Sequence, residues 1–214
     1  MVKSAQIGSR IARGIPSIME MESKKHGEYT GILGDRLFDD PFFENNSLFL
    51  AADHGSKSKG IAIPYLGRSY TSATNLSHLD IAIIDLMRPH RAILVCEIEE
   101  EKADPKKIIG DLFNIYMANY LSVRHDNIGE QYTLKNASII LGIRSSENSP
   151  PGKKAKNIVR KLSKMLSEEV KAGKKIHLVF GQEYDELIRG VEKKINKITK
   201  EYLRQRNILK EEIP

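Results

Sequence analysis

The sequence predicts an α/β or α+β protein, a central mixed β-sheet flanked by helices. Three observations carry this expectation. The runs 81–84 (IAII) and 92–96 (AILVC) are apolar at successive positions, as in strands buried on both faces. Segments such as 106–122 and 184–210 instead place their apolar residues at helical spacing. The two strongest strand segments are joined only by the short RPHR link, which makes them neighbours in a hairpin.

Taken in order, residues 4–26 read as helix, broken near Gly14 and Pro16. There Ile15, Ile18, Met19 and Glu22 fall at i, i+3, i+4 and i+7, so Glu22 continues an apolar stripe. Gly, Asp and Asn between 29 and 46 read as turns and short irregular pieces. Residues 47–53 and 60–67 read as strands, with Pro64 disfavouring a central position for the second. Their link, HGSKSKG, lacks the spacing of a phosphate-binding loop and reads as a hairpin connection.

The central hairpin, 79–86 and 91–99, follows. Asp104 and Pro105 then serve as cap and first position of a helix over 106–122. A strand at 137–143 leads to SSENSPPGKKAK, 145–156, the best linker candidate. Beyond it lie a helix at 156–172, a strand at 174–181 and a long helix at 184–210 striped by Leu187, Val191, Ile195, Ile198 and Leu203.

A chain of 214 residues suits one domain, 1–214, with 153–214 as a basic, helix-rich C-terminal part. No apolar run approaches the roughly 20 residues that span a bilayer, so no membrane partner and a cytoplasmic location are expected. One cysteine and scattered histidines leave oxygen ligands for any metal. Residues 153–214 hold 17 Lys and Arg against 9 Asp and Glu, whereas 1–152 hold 17 against 19. Basic charge so placed suits a polyanionic partner, or a solvated helical face.

The stretch CEIEEEKADP, 96–105, carries the chemistry. Side chains alternate along a strand, so Glu97 and Glu99 share a face with Ile93 and Val95, opposite Cys96 and Ile98. A carboxylate on a buried strand needs a cation or a shifted pKa. The hairpin brings Asp80 to the same end, and carboxylates converging there suit a hard divalent cation or form a solvated cluster at strand ends. Asp53 ends the first strand. Asp111 reads as solvated helix surface, with a place behind the metal ligands as the alternative, and His54 and His78, which flank acidic positions, as ordinary hydrogen-bonded residues.

Asp80, a strand-turn-strand, Glu97-Ile98-Glu99 and then a helix resemble the PD-(D/E)xK nuclease superfamily, the restriction-endonuclease-like fold, in an E-x-E variant. The resemblance implies Mg²⁺, with Mn²⁺ as substitute, held by Asp80 and Glu97 and joined by Glu22 from the first helix. It also implies that Glu99, where the family usually has lysine, orients or deprotonates the attacking water; Lys102 comes three residues late. The expected function is a magnesium-dependent endonuclease cutting DNA, for which a homodimer would match a two-fold duplex if both strands are cut. Lys57, Lys59, Lys193 and Lys197 are the expected backbone contacts. The alternative is a non-catalytic nucleic-acid-binding or scaffold protein that keeps the fold.

Overall fold

The computed structural model describes residues 27–57, 60–67, 74–87, 91–99, 105–124, 131–170 and 173–211. The helix predicted over 4–26, with Glu22, lies outside them, as does Lys59. The described elements run α1 (Glu28–Asp39), α2 (Pro41–Asn45), β1 (Leu48–Ala52), β2 (Ile61–Tyr65), β3 (Ile81–Asp85), β4 (Arg91–Glu99), α3 (Pro105–Met117), β5 (Tyr120–Arg124), β6 (Gln131–Thr133), β7 (Ser138–Arg144), α4 (Pro150–Val170), β8 (Lys175–Gly181) and α5 (Tyr184–Glu211). The mixed sheet between helices is as predicted. No described helix is long and apolar enough to cross a membrane.

β3 pairs antiparallel with β1 on one side and β4 on the other, while β4, β7 and β8 run parallel. The edge of β4 is shared, because Arg91 pairs with Thr133 of β6, from which β5 and β2 continue. That ribbon comes back to the far side of the sheet, where Leu79 N donates to Ala62 O at 2.9 Å and Ala52 N to Gly60 O at 3.0 Å.

Period-two alternation gives the sheet two apolar faces. Ala51, Ala82, Val95 and Leu141 pack with Ile108 and Leu112 of α3 and Ala155 and Val159 of α4. On the opposite face Ala52, Ile81, Cys96 and Ile140 meet Leu33 and Leu37 of α1 and Leu187, Val191 and Ile195 of α5. Each large side chain so buried contributes about 1.5–3 kcal/mol. The pairing shifts between Ile83, opposite Leu94, and Ile84, opposite Ala92. Ile93 is therefore the extra residue of a bulge and joins the α1/α5 core, rather than the face of Glu97 predicted for it.

Other departures from the expected elements have local causes. Residues 28–45 are helical, not turns, because Gly31 and Gly34 serve close packing. A Cβ on Gly31 would stand 3.0 Å from Gly55 N, and one on Gly34 3.0 Å from His54 O. Asp40 Oδ1 then accepts from Phe42 N at 2.9 Å, capping α2 with Pro41 in its first turn. The predicted linker 145–156 is largely the start of α4: Ser149 Oγ accepts from Gly152 N at 3.2 Å, and Pro150 opens the helix.

Helix α3 stops at Met117 instead of running to 122, and Tyr120 begins β5. Buried Lys174 terminates it, donating from Nζ to the carbonyls of Ile115, Tyr116 and Ala118 at 2.8, 2.9 and 2.5 Å. These are oxygens that a helix end leaves without intrahelical donors. Burial pulls the lysine down to about 8.

Candidate functional site

The antiparallel register builds a row of acids. Ala52 pairs with Ile81, and Ile81 with Cys96, all three facing α1 and α5. One step further, Asp53, Asp80 and Glu97 turn to the α3/α4 face. The backbone holds this extension together, with Asp53 N donating to Asp80 O at 3.0 Å and Ile98 N to Asp80 Oδ2 at 2.7 Å. Asp80, Glu97 and Glu99 thus meet at one end of the sheet, as the hairpin reading predicts.

Desolvation is the first cause of the site's electrostatics. Burial holds the Glu97 carboxyl well above the usual carboxylate range, and Asp80, Asp111 and Glu99 add to the rise. Glu99 is only 2 % exposed, and Lys107 Nζ approaches its Oε2 to 3.0 Å from the first turns of α3. One turn later Asp111 reaches Glu99, and burial, then that carboxyl, push it up to about 7. Burial works to lower the Lys107 ammonium, but Glu99, Asp111 and Asp80 outweigh it and the net shift is upward.

Asp80, Glu97, Glu99 and Asp111 therefore face one described ammonium. They cannot all ionise without another cation, so protons are shared or a divalent ion is taken up. Glu99 Oε2 and Asp111 Oδ2 are buried without a well-directed hydrogen bond. Among the described residues no three His, Cys, Asp or Glu side chains stand ready-made to chelate a metal.

Asp111 takes the second of its two readings, beside Glu99 and not in the solvent. Lys107 is an addition: neither belongs to a linear motif, and the signal was only that a Lys and an Asp four residues apart share the helix face following Glu99. Asp53 lies between two imidazoles, 3.8 Å from His54 Nε2 and 3.7 Å from His78 Nδ1.

Of the predicted backbone contacts, the described Lys57, Lys193 and Lys197 fall elsewhere. Lys57 Nζ ion-pairs with Asp39 at 2.5 Å, and its backbone N donates to Asp35 Oδ1 at 2.9 Å, so it ties the loop after β1 to α1. Lys193 and Lys197 are on α5, which packs on the sheet face opposite the carboxylates. No protein-family model, curated protein or solved structure matches the chain.

Proposed function

We propose that the chain is a metal-dependent endonuclease hydrolysing DNA phosphodiester bonds, with the restriction-endonuclease-like arrangement that its motif resembles. One observation carries the reading. Asp80, Glu97, Glu99 and Asp111 gather at one sheet end, four largely buried carboxyls against the single described ammonium of Lys107. The antiparallel run β1, β3, β4, followed by helix α3 and parallel strand β7, supports it.

The donor set fits Mg²⁺ or Mn²⁺, since it is all oxygen and carries excess negative charge. Asp80 and Glu97 would hold the ion. When bound, it supplies a water acidic enough to attack phosphorus and neutralises charge on the phosphoryl oxygens. Glu99 orients that water, and the Glu99–Asp111 pair accepts its proton, near neutrality by virtue of Asp111. A P–O bond forms to the water oxygen, the ester P–O bond breaks, and the leaving oxygen takes a proton from solvent. Lys107 places on the helix the ammonium that the family usually carries at the position of Glu99.

Plasmid DNA incubated with Mg²⁺ or Mn²⁺ tests this. Cleavage is expected to require the metal and to fall at least about 100-fold in Asp80→Ala and Glu97→Ala. Unchanged cleavage in both variants would sink the site assignment. A non-catalytic nucleic-acid-binding protein is the second reading, favoured by the want of a ready-made chelating trio among the described residues. Binding of DNA without metal-dependent cleavage of DNA or RNA would establish it.

A further inference from the structure

We infer that the solvent face of α4 is a track for the phosphate backbone of duplex DNA, leading away from the carboxylate end of the sheet. The choice of partner rests on the nucleic-acid reading above; the track itself rests on the helix. Lys153, Lys154, Asn157, Arg160, Lys161 and Lys164 are its exposed polar residues through Leu166, and none is acidic. Their spacing places them on one side, while Ala155, Val159 and Leu166 are buried on the other. Five cations, with Asn157 between the second and third, thus line about 16 Å of rigid rod.

Four of the five stand clear of neighbouring carboxylates among the described residues. Glu147 pairs with Lys156 beside the stripe, and Lys153, Lys154, Arg160 and Lys161 have no ion pair among the described residues. Helix α5 is the counterexample. Its exposed Arg189, Lys193, Lys197 and Lys200 are interspersed with Asp185, Glu186, Glu192 and Glu201. Lys197 lies 3.9 Å from Glu201, and Glu192 3.7 Å from Arg36.

Placement completes the case. β7 runs parallel to β4 with Ile143 opposite Glu99, so α4 starts beyond the carboxylate end and runs back over the face that carries Glu97 and Glu99. A straight polyanion with one charge per roughly 1.7 Å of axis complements such a rod. Each phosphate it neutralises releases a counterion, so the contact must weaken steeply with salt.

The experiment measures anisotropy of a labelled 20-base-pair duplex over a salt series in EDTA, using full-length Asp80→Ala protein as background. Lys154→Gln/Arg160→Gln/Lys161→Gln/Lys164→Gln on α4 is compared with Lys193→Gln/Lys197→Gln/Lys200→Gln on α5, after thermal melts confirm folding. The pair Arg160→Gln/Lys161→Gln substitutes if the fourfold variant does not fold. The α4 variant is expected to weaken Kd more than about 100-fold near 0.1 M salt and to flatten the log–log salt slope by about 3–4, while the α5 variant changes Kd less than about 5-fold.

An α4 variant that binds like its parent overturns the track, as does an equal loss from α5 or tight binding to anionic vesicles in preference to the duplex. Wild-type protein assayed with Mg²⁺ and Mn²⁺ separates the two proposals. Binding through α4 without cleavage leaves the track standing and removes the nuclease; cleavage unaffected by the α4 substitutions does the reverse.

Discussion

Asp80 and Asp85 lie at opposite ends of β3, five residues apart, and the chain treats them in opposite ways. Asp85 is buried and supplied with donors. Tyr202 Oη donates to it, Arg206 Nη1 stands 3.0 Å away, and Met87 N donates at 2.9 Å. Arg91 Nε donates in turn to Tyr202 Oη at 2.9 Å. At the other end Asp80 meets Glu97, Glu99 and Asp111 with Lys107 as the described ammonium of the cluster. The carboxylate that fastens α5 to the hairpin is matched with a cation, whereas the carboxyls at the other end outnumber theirs.

The largest consequence concerns stability. Asp85→Ala strands Arg206, whose side chain is 14 % exposed, and is expected to cost about 3–5 kcal/mol in denaturant melts. Asp80→Asn or Glu97→Gln should leave stability unchanged or raise it, by relieving like-charge repulsion. Equal losses at both ends would erase the contrast.

A divalent ion should sharpen it. Mg²⁺ or Mn²⁺ at about 100 times its Kd is expected to stabilise the wild-type and Asp85→Asn proteins by about 2.7 kcal/mol. Asp80→Ala and Glu97→Ala should lose that gain, read as a metal-dependent shift in Tm.

Acidity gives the smaller effect. With Asp111 at about 7 in the folded chain and an ordinary value of 3.8, the folded state keeps a proton that the unfolded state releases between those values. Its contribution is thus fully present below about pH 4 and lost as pH rises through 7, in the absence of metal. Solvent screening reduces the loss to about 1–2 kcal/mol. Asp111→Asn should flatten the apo stability profile over this window, measured by melts from pH 4 to 8.

What the sequence discloses follows the range of the forces involved. Alternation along 91–99 and the short RPHR link place Asp80, Glu97 and Glu99 at one end, because strand period and hairpin pairing are local rules. Glycines mislead: Gly31 and Gly34 suggest turns, yet they let α1 lie against the backbone of His54 and Gly55. Tyr120 and Leu121 continue the helical spacing of α3, so the turn into β5 is hidden until Lys174, 59 residues beyond Ile115, supplies the stop. Lys107 and Asp111 join the site through space, which no linear pattern records. The same holds for the division of basic helices, since composition counts α4 and α5 together while the sheet sets them on opposite faces.

Lys174 also has a mechanical role. Its ammonium grips the tail of α3, while Lys107 projects from the helix's other end, about 12–16 Å up the axis, and Asp111 from its middle. Helix α3 is then a lever clamped at its far end. A slip of one carbonyl at the clamp would travel undiminished along the stiff rod and misplace an ammonium against a carboxylate. Precision at the acids is therefore set partly by a residue that never touches them.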